Sequence, residues 1–306
     1  MAILLNLSEL TVFLTVAETN SFSAAGRELH LTQPAISQKI DNLEKHFSAR
    51  LFHREGRTVR LTEAGQALQP LARELVAGAI RLEETMASLH GEVIGEMNIG
   101  CSTASGKYLL PGIVARFRRS FPRVRINILI SSRQSVVEKL LSGVATLGVT
   151  SKIIEHRDLE YRDFYCDEVI LIVPANHAWA RYRQIYPADL LDEPMILREE
   201  IAGTREVLVE GLQGHDISPD MLNIAMVMGN AEAIVMAVGE GIGVAFVSRL
   251  AALRDLELGN VIEVAVSGMS LRRNLYLVRN RRLPATRAQM EFWNFVSAAQ
   301  PVAVPG

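Results

Sequence analysis

The chain has 306 residues, 49% of them apolar and 22% charged, with a formal net charge of −2 and a pI of about 6.4. That composition belongs to a folded protein of two or three domains and excludes a disordered chain. Any nucleic-acid binding must therefore rest on a local cluster of cations, not on the overall balance.

Cys101 and Cys166 are the only cysteines, which excludes a disulfide framework and fits a reducing compartment. The N-terminus carries no signal-peptide pattern, and no apolar run is long enough to span a bilayer. The expectation is a cytoplasmic protein with no membrane partner.

Leu10, Phe13, Leu14 and Ala17 form the first helical apolar stripe. Ser21–Ile40 then reads as two short helices joined by a turn at His30-Leu31. Ser23 is placed to cap the first helix and Thr32 the second. Pro34 sits in the opening turn of the second, where a missing N–H costs nothing. On a wheel, Ile36, Ile40, Leu43 and Phe47 fall on one side and should be buried. Gln33, Pro34, Ser37, Gln38, Asp41, Lys45 and Ser48 fall on the other. Glutamine can bond an adenine edge bidentately and serine any base edge, as a recognition helix in a major groove requires. An ordinary amphipathic hairpin would give the same wheel, so the neighbours decide. Leu51–Arg54 and Thr58–Leu61 read as two strands around Glu55-Gly56-Arg57, a wing with arginines near its tip. The expected unit is a winged helix-turn-helix over residues 1–65, bound to double-stranded DNA. Ser23, Gln33, Pro34, Ser37 and Gln38 are the candidate base-side residues, and Arg50, Arg54 and Arg57 the candidate phosphate contacts.

Thr62 can cap a long linker helix, assigned to residues 66–91 and running to about Leu89. Leu68, Leu75, Leu82 and Leu89 recur every seven residues, with Ala72, Ala79 and Met86 four places after the first three. This is a short coiled-coil seam and predicts a homodimer or homotetramer. Arg73, Glu74, Arg81 and Glu84 give the opposite face its charge, and Pro70 should kink the helix.

His90–Gly95 reads as a hinge, after which the texture becomes α/β. Strands are expected at Met97–Cys101, Val124–Ile130, Thr146–Thr150, Tyr161–Cys166, Val169–Pro174, Met195–Leu197, Ile224–Met228, Val244–Ser248 and Leu275–Val278. Helices are expected at Leu110–Ser120, Ser135–Leu141, Arg205–Leu212, Ala231–Val238 and Thr286–Ala299. Two α/β units joined by paired crossovers form a hinged ligand-binding domain over 92–306. One unit takes about 92–166 and 268–306, the other about 167–267. Ligands in such sheets bind beyond the carboxyl ends of strands. Those ends carry Ser102, Thr103, Ser132, Thr150, Thr204 and Arg205, whose hydroxyls, charge and neighbouring backbone N–H groups suit a small anionic or polar metabolite.

The run SFSAAGRELHLTQPAISQKIDNLEKHFSARLFHREGRTVRLTEAG, Ser21 to Gly65, resembles the LysR-type transcriptional regulators, and the likeness extends over the whole chain. It implies a winged helix-turn-helix, a linker helix that pairs two DNA-binding domains, and an effector domain similar to periplasmic binding proteins. Four subunits commonly bind and bend DNA in that family. The Ser102-Thr103…Tyr108-Leu109-Leu110-Pro111 run resembles the branch controlling carbon-fixation and sulfur-assimilation genes. Departures are also evident. Phe47-Ser48 stands where Leu-Gly is usual, Asp41 and Asn42 replace commonly basic residues, and Ile201-Ala202 replaces the usual Gly-Ser.

No catalytic or metal chemistry emerges. Gly100–Lys107 fails the P-loop spacing, Gly239, Gly241 and Gly243 do not follow a strand, and the histidines lack ligand spacing. The expectation is a non-enzyme without cofactor or metal. Two rival readings are a solute-binding receptor, opposed by the N-terminal helix-turn-helix, and a redox sensor using Cys101 and Cys166.

Overall fold

The computed structural model describes residues 5–55, 58–88 and 92–298. Three helices open the chain: α1 (Leu7–Thr19), α2 (Phe22–Glu28) and α3 (Gln33–Phe47). Leu10, Phe13, Leu14, Ala25, Ile36, Ile40 and Leu43 close into one buried core with Leu51 and Phe52. Strands β1 (Phe52–Glu55) and β2 (Thr58–Leu61) pair antiparallel as the wing.

Three local expectations need correction. Ser21, not Ser23, caps α2. Its backbone is extended and its hydroxyl accepts from the Ala24 N–H, so the helix begins at Phe22 and Ser23 lies within its first turn. Phe47 is 40% exposed, because α3 ends there in a left-handed Ser48, φ 49°, which turns the chain away before Phe47 reaches the core. A residue with a side chain thus occupies the position that glycine usually fills. Finally, Tyr161–Cys166 and Val169–Pro174 are one strand, not two.

Thr62 accepts from the Gly65 N–H and opens α4 (Glu63–Ser88). Pro70 lies inside α4 without ending it. Leu68 packs against the core of its own winged helix and Ala72 is fully buried there. Leu71, Leu75, Leu82 and Met86 remain exposed. The outward apolar stripe is therefore rotated from the expected heptad, because the first turns of α4 cover α1. The charged face is not wholly free either: Arg73 pairs with Glu18 at 3.0 Å and Glu84 is 7% exposed. Leu89, His90 and Gly91 lie outside the described residues.

The remaining chain runs β3 (Gly95–Cys101), a π turn at Ser105–Leu109, α5 (Leu110–Ser120), β4 (Val124–Ile130), α6 (Arg133–Leu141), β5 (Leu147–Thr150) and β6 (Leu159–Pro174). It continues through α7 (Trp179–Tyr182), β7 (Gln184–Ile185), β8 (Met195–Arg198), α8 (Gly203–Gln213), β9 (Ile224–Met228) and α9 (Ala231–Gly239). It ends with β10 (Val244–Ser248), α10 (Arg249–Leu258), β11 (Val261–Val266), β12 (Leu271–Asn280) and α11 (Arg287–Ala298).

Strands β3 to β12 form one ten-stranded sheet, whose main path is β4-β3-β5-β12-β6-β10-β8-β9. Parallel strands flank a long antiparallel pair, β6 and β12. Apolar residues cluster separately on either side of that pair. Met97, Phe117, Val149, Leu277 and Phe292 belong to the first lobe, and Leu171, Leu197, Leu208, Val244 and Phe246 to the second. The lobes are thus joined by two crossing strands, the geometry of a hinge.

Candidate functional sites: a recognition helix and an interlobe cleft

Thr32 caps α3 through the Ala35 N–H at 3.4 Å. Gln33, Pro34 and Gln38 are exposed and Ser37 is half-buried, while Ile36, Ile40 and Leu43 are fully buried on the opposite side. The amide of Gln38 donates to Asn42 at 2.9 Å, and the Ser23 hydroxyl donates to Gln33 Oε1 at 3.4 Å. These polar groups are held as one face at the N-terminal half of α3. Lys39 donates to Ser8 at 2.9 Å and so faces α1.

The largely exposed Arg50 meets the buried carboxylate of Glu44 at 2.7 Å. Glu44 also accepts from the backbone N–H groups of Leu51 and Phe52 at 2.8 and 3.4 Å. A buried carboxylate is tolerated only with such partners. It ties α3 to the start of the wing, a role that periodicity does not reveal because Glu44 falls beside Leu43 on the wheel. Arg57 and the side chain of Arg54 lie outside the described residues.

Between the lobes lies a cleft of about 960 Å³. Ser102, Thr103, Ser131, Ser132 and Arg133 line it from the first lobe. Arg198, Glu199, Gly203, Asn230 and Glu232 line it from the second. Of the six residues expected there, Ser102, Thr103 and Ser132 are in place. Thr150, Thr204 and Arg205 do not line it. Thr150 turns inward and donates to Lys152 O at 3.0 Å, and Thr204 is 4% exposed. Arg205 reaches back to Arg198 O at 3.4 Å. Sequence identifies such residues with a turn but not the direction of their side chains. Ser151, next to Thr150, is the residue that points into the cleft.

The cleft is more charged than the sequence suggests. Lys107 pairs with Glu232, Arg133 with Glu206 at 2.9 Å and Lys152 with Glu206 at 3.3 Å, so these ion pairs cross from lobe to lobe. Arg198 pairs with Glu199 at 2.8 Å. Arg273 pairs with Asp167 at 2.6 Å. Burial opposes ionisation of Glu206, yet Arg133 and Lys152 hold its carboxyl below the usual range. The hydrogen-bonded Lys107 does the same for Glu232. Burial, with Glu232 nearby, pushes the Tyr108 phenol up.

Asp167 and Arg273 face each other across β6 and β12. Asp167 is 1% exposed and also accepts from the Ser248 hydroxyl at 2.7 Å. Arg273 reaches from this hinge to the cleft wall. A Cβ on Gly203 would stand 3.0 Å from Arg273 Nη1 and 2.9 Å from Ser151 Oγ, so glycine is what lets the start of α8 come so close. Among the described residues that line the cleft, three buried polar atoms lack hydrogen-bond partners: Tyr108 Oη, Ser131 Oγ and Arg133 Nε. Buried polar groups are ordinarily satisfied, and unmet donors grouped around one cavity suit a polar ligand.

Cys101 is fully buried and its thiol is pushed up to about 12 by burial. Such a thiol stays protonated at neutral pH, which opposes redox sensing through it. Cys166 is exposed on β6. No helix among the described residues is long and apolar enough to cross a membrane.

Residues 7–66 match the family described as bacterial regulatory helix-turn-helix protein, lysR family, and residues 90–301 match the LysR substrate binding domain. A RuBisCO operon transcriptional regulator of Allochromatium vinosum is 31% identical over 290 residues, covering 94% of this chain and 95% of that protein. The transcriptional activator CmpR of Synechocystis is 28% identical over 292 residues, covering 95% of each. Among solved structures, a full-length OxyR variant from Pseudomonas aeruginosa superposes with a TM-score of 0.74 at 20% identity, covering 96% of this chain and 95% of that one. Full-length CbnR complexed with its target DNA gives 0.67 at 20% identity, covering 97% and 100%. Both share the fold of winged helix, linker helix and two-lobed domain.

Proposed function

Because the chain belongs to the LysR family of transcriptional regulators, we propose that it is a cytoplasmic, DNA-bound oligomer whose hold on an operator is switched by a small anionic metabolite in the interlobe cleft. The observation that carries the reading is the cleft itself. It draws hydroxyls from the first lobe and cations from both, is bridged by ion pairs between the lobes, and abuts a hinge of two strands. A ligand that binds one lobe arrangement better than the other shifts the balance between them, by no more than that difference in affinity.

In this reading residues 1–65 bind DNA, 66–91 link and pair subunits, and 92–306 sense the effector. Gln33, Pro34, Ser37 and Gln38 read base edges, with Ser23 beside them, and Arg50, Arg54 and Arg57 hold phosphates. Ser102, Thr103 and Ser132 donate to the effector. Relatives named as RuBisCO regulators favour control of carbon-fixation genes. The test is a gel shift on the DNA upstream of the chain's own gene, repeated across salt concentrations. Specific retention that weakens steeply with salt is expected; retention no stronger than on unrelated DNA would overturn the reading.

A further inference from the structure

The interlobe cleft carries two kinds of surface side by side. One is polar and unsatisfied. The Ser131 hydroxyl and Arg133 Nε line the cleft and are buried without hydrogen-bond partners. Arg133 keeps Nε unmet even while its Nη2 holds Glu206 at 2.9 Å. Ser131 follows β4 and Arg133 opens α6, so both donors stand at one turn of the first lobe. A carboxylate laid there satisfies groups that the protein alone leaves bare.

The other surface is apolar. Val137 follows Arg133 by one turn on the same face of α6 and lines the cleft. Ile154 joins it from the loop between β5 and β6, packing against the cluster that holds Val137. The Ile154 backbone is fixed from both sides. The Tyr161 hydroxyl accepts from its N–H at 3.2 Å and donates to its carbonyl at 3.1 Å. From the second lobe come Ile201 and Ala202, immediately before α8. Ile201 is 77% exposed, more than any other large apolar side chain among the described residues. One exposed isoleucine on an open surface is ordinary. Here, with Ala202, it lines from the second lobe a cavity that already has an apolar wall on the first.

We propose that the cleft takes an amphiphilic carboxylate, its acid group on Ser131 and Arg133 and a hydrocarbon body of several carbons lying between Ile154 and Ile201. The proposal rests on the cleft being the effector site and narrows the effector from any small anion to this class. A cavity of about 960 Å³ is at the upper end of the range of ligand pockets, roughly 300–1,000 Å³. A compact, wholly polar ion leaves its apolar wall in water. A hydrocarbon body covers that wall, with a gain in proportion to the area removed from water. From Arg133 to Val137 the helix rises about 6 Å, so the two surfaces are spaced as head and body of one molecule. The cations near the apolar wall are already engaged, because Glu206 takes Arg133 and, at 3.3 Å, Lys152. A second acid group placed there meets a carboxylate.

The test titrates the full chain with butanoate, hexanoate and octanoate, with octanedioate, and with inorganic phosphate. Affinities are read from the dependence of the thermal midpoint on ligand concentration. For wild type the monocarboxylates should tighten with length, by up to about fourfold per methylene. Octanoate should bind more tightly than octanedioate or phosphate. Ile201→Ser removes apolar surface at an exposed position and should flatten the dependence on length. Ser131→Ala should weaken the three monocarboxylates by one common factor and leave the dependence on length intact. Affinity independent of length in wild type would overturn the proposal. So would tighter binding of octanedioate or phosphate than of octanoate, or an undiminished dependence on length in Ile201→Ser. If none of these anions bound, the anionic-effector reading would fail and the proposal with it, a result distinct from binding without a preference for hydrocarbon.

Discussion

At the scale of single residues, the polar face of α3 is the feature most open to test. Ser37 and Gln38 sit beside one another near its N-terminal end, while Ile36 and Ile40 anchor it from behind. Ser37→Ala and Gln38→Ala remove donors without touching that anchor. Each should relax base preference at a defined operator position by roughly 1–3 kcal/mol, leaving the salt slope unchanged. A binding-site selection experiment checks this; an unaltered preference would mean another face of α3 enters the groove. The orientation is legible in the sequence because the apolar period leaves one choice of buried side. The role of Glu44 is not, since periodicity places a carboxylate on a wheel but cannot show two backbone N–H groups turning toward it. The cap of α2 is illegible for a similar reason. Ser21 and Ser23 are chemically equivalent candidates, and only the extended backbone at Ser21 selects between them.

At the scale of elements, α4 carries two opposed demands. Its first turns cover the winged-helix core, and its later turns leave Leu75 and Leu82 exposed at 49% and 66%. A heptad pattern alone cannot separate leucines used within the subunit from those offered outside it, which is why the pattern takes in Leu68 although the core holds it. Leu75→Asp with Leu82→Asp should leave the thermal midpoint of the subunit near wild type but abolish cooperative binding to paired half-sites. Charge buried in a seam is costly. Light scattering and gel shifts check both halves of that expectation; a double variant that still dimerises and binds cooperatively would remove the seam.

The far end of α4 meets the sensing domain through Glu84. A Cβ on Gly95, whose φ is +136°, would stand within bonding range of the Glu84 carboxylate, so the two elements meet with no room for a further side chain. Burial raises the carboxyl, outweighing the Thr286 hydroxyl, the Glu96 backbone and Arg81, which favour its ionised form. A group whose folded value lies above its unfolded one stabilises the fold below the unfolded value and loses that contribution as pH rises through the folded one. Glu84→Gln should therefore raise the thermal midpoint at neutral pH, with the gain vanishing in acid below the usual carboxylate range. Thermal melts against pH check this, and a gain independent of pH would assign the effect to packing.

At the scale of the whole molecule, the order of elements and the number of lobes are legible, because alternating strands and helices lead to a two-unit α/β layout. Helix α10, strand β11 and the continuity of β6 through the hinge are not. The reason is physical: Asp167 and Glu168 interrupt the apolar pattern at the point where the strand passes between lobes. Asp167 is buried there only because Arg273 and Ser248, distant in sequence, satisfy it. The cleft follows the same pattern. Its hydroxyls are visible at strand ends, whereas Lys107, Arg133 and Arg273 are assembled by the fold. The pairs Lys107–Glu232 and Arg133–Glu206 hold the lobes together without a ligand. An anion competing for those cations gains only what it binds beyond the displaced carboxylates.

The central claim is that the cleft governs DNA binding, and a nuclease footprint on the chain's own upstream DNA tests it most directly. The footprint is taken with and without whichever small carboxylate or phosphorylated carboxylate raises the thermal midpoint of the full chain. Wild type should change the length or spacing of its footprint on adding that compound. The variant Ser102→Ala, Thr103→Ala, Ser132→Ala should keep the unliganded footprint and lose the change. A variant that bound the compound with undiminished affinity and remodelled its footprint as wild type does would contradict the account.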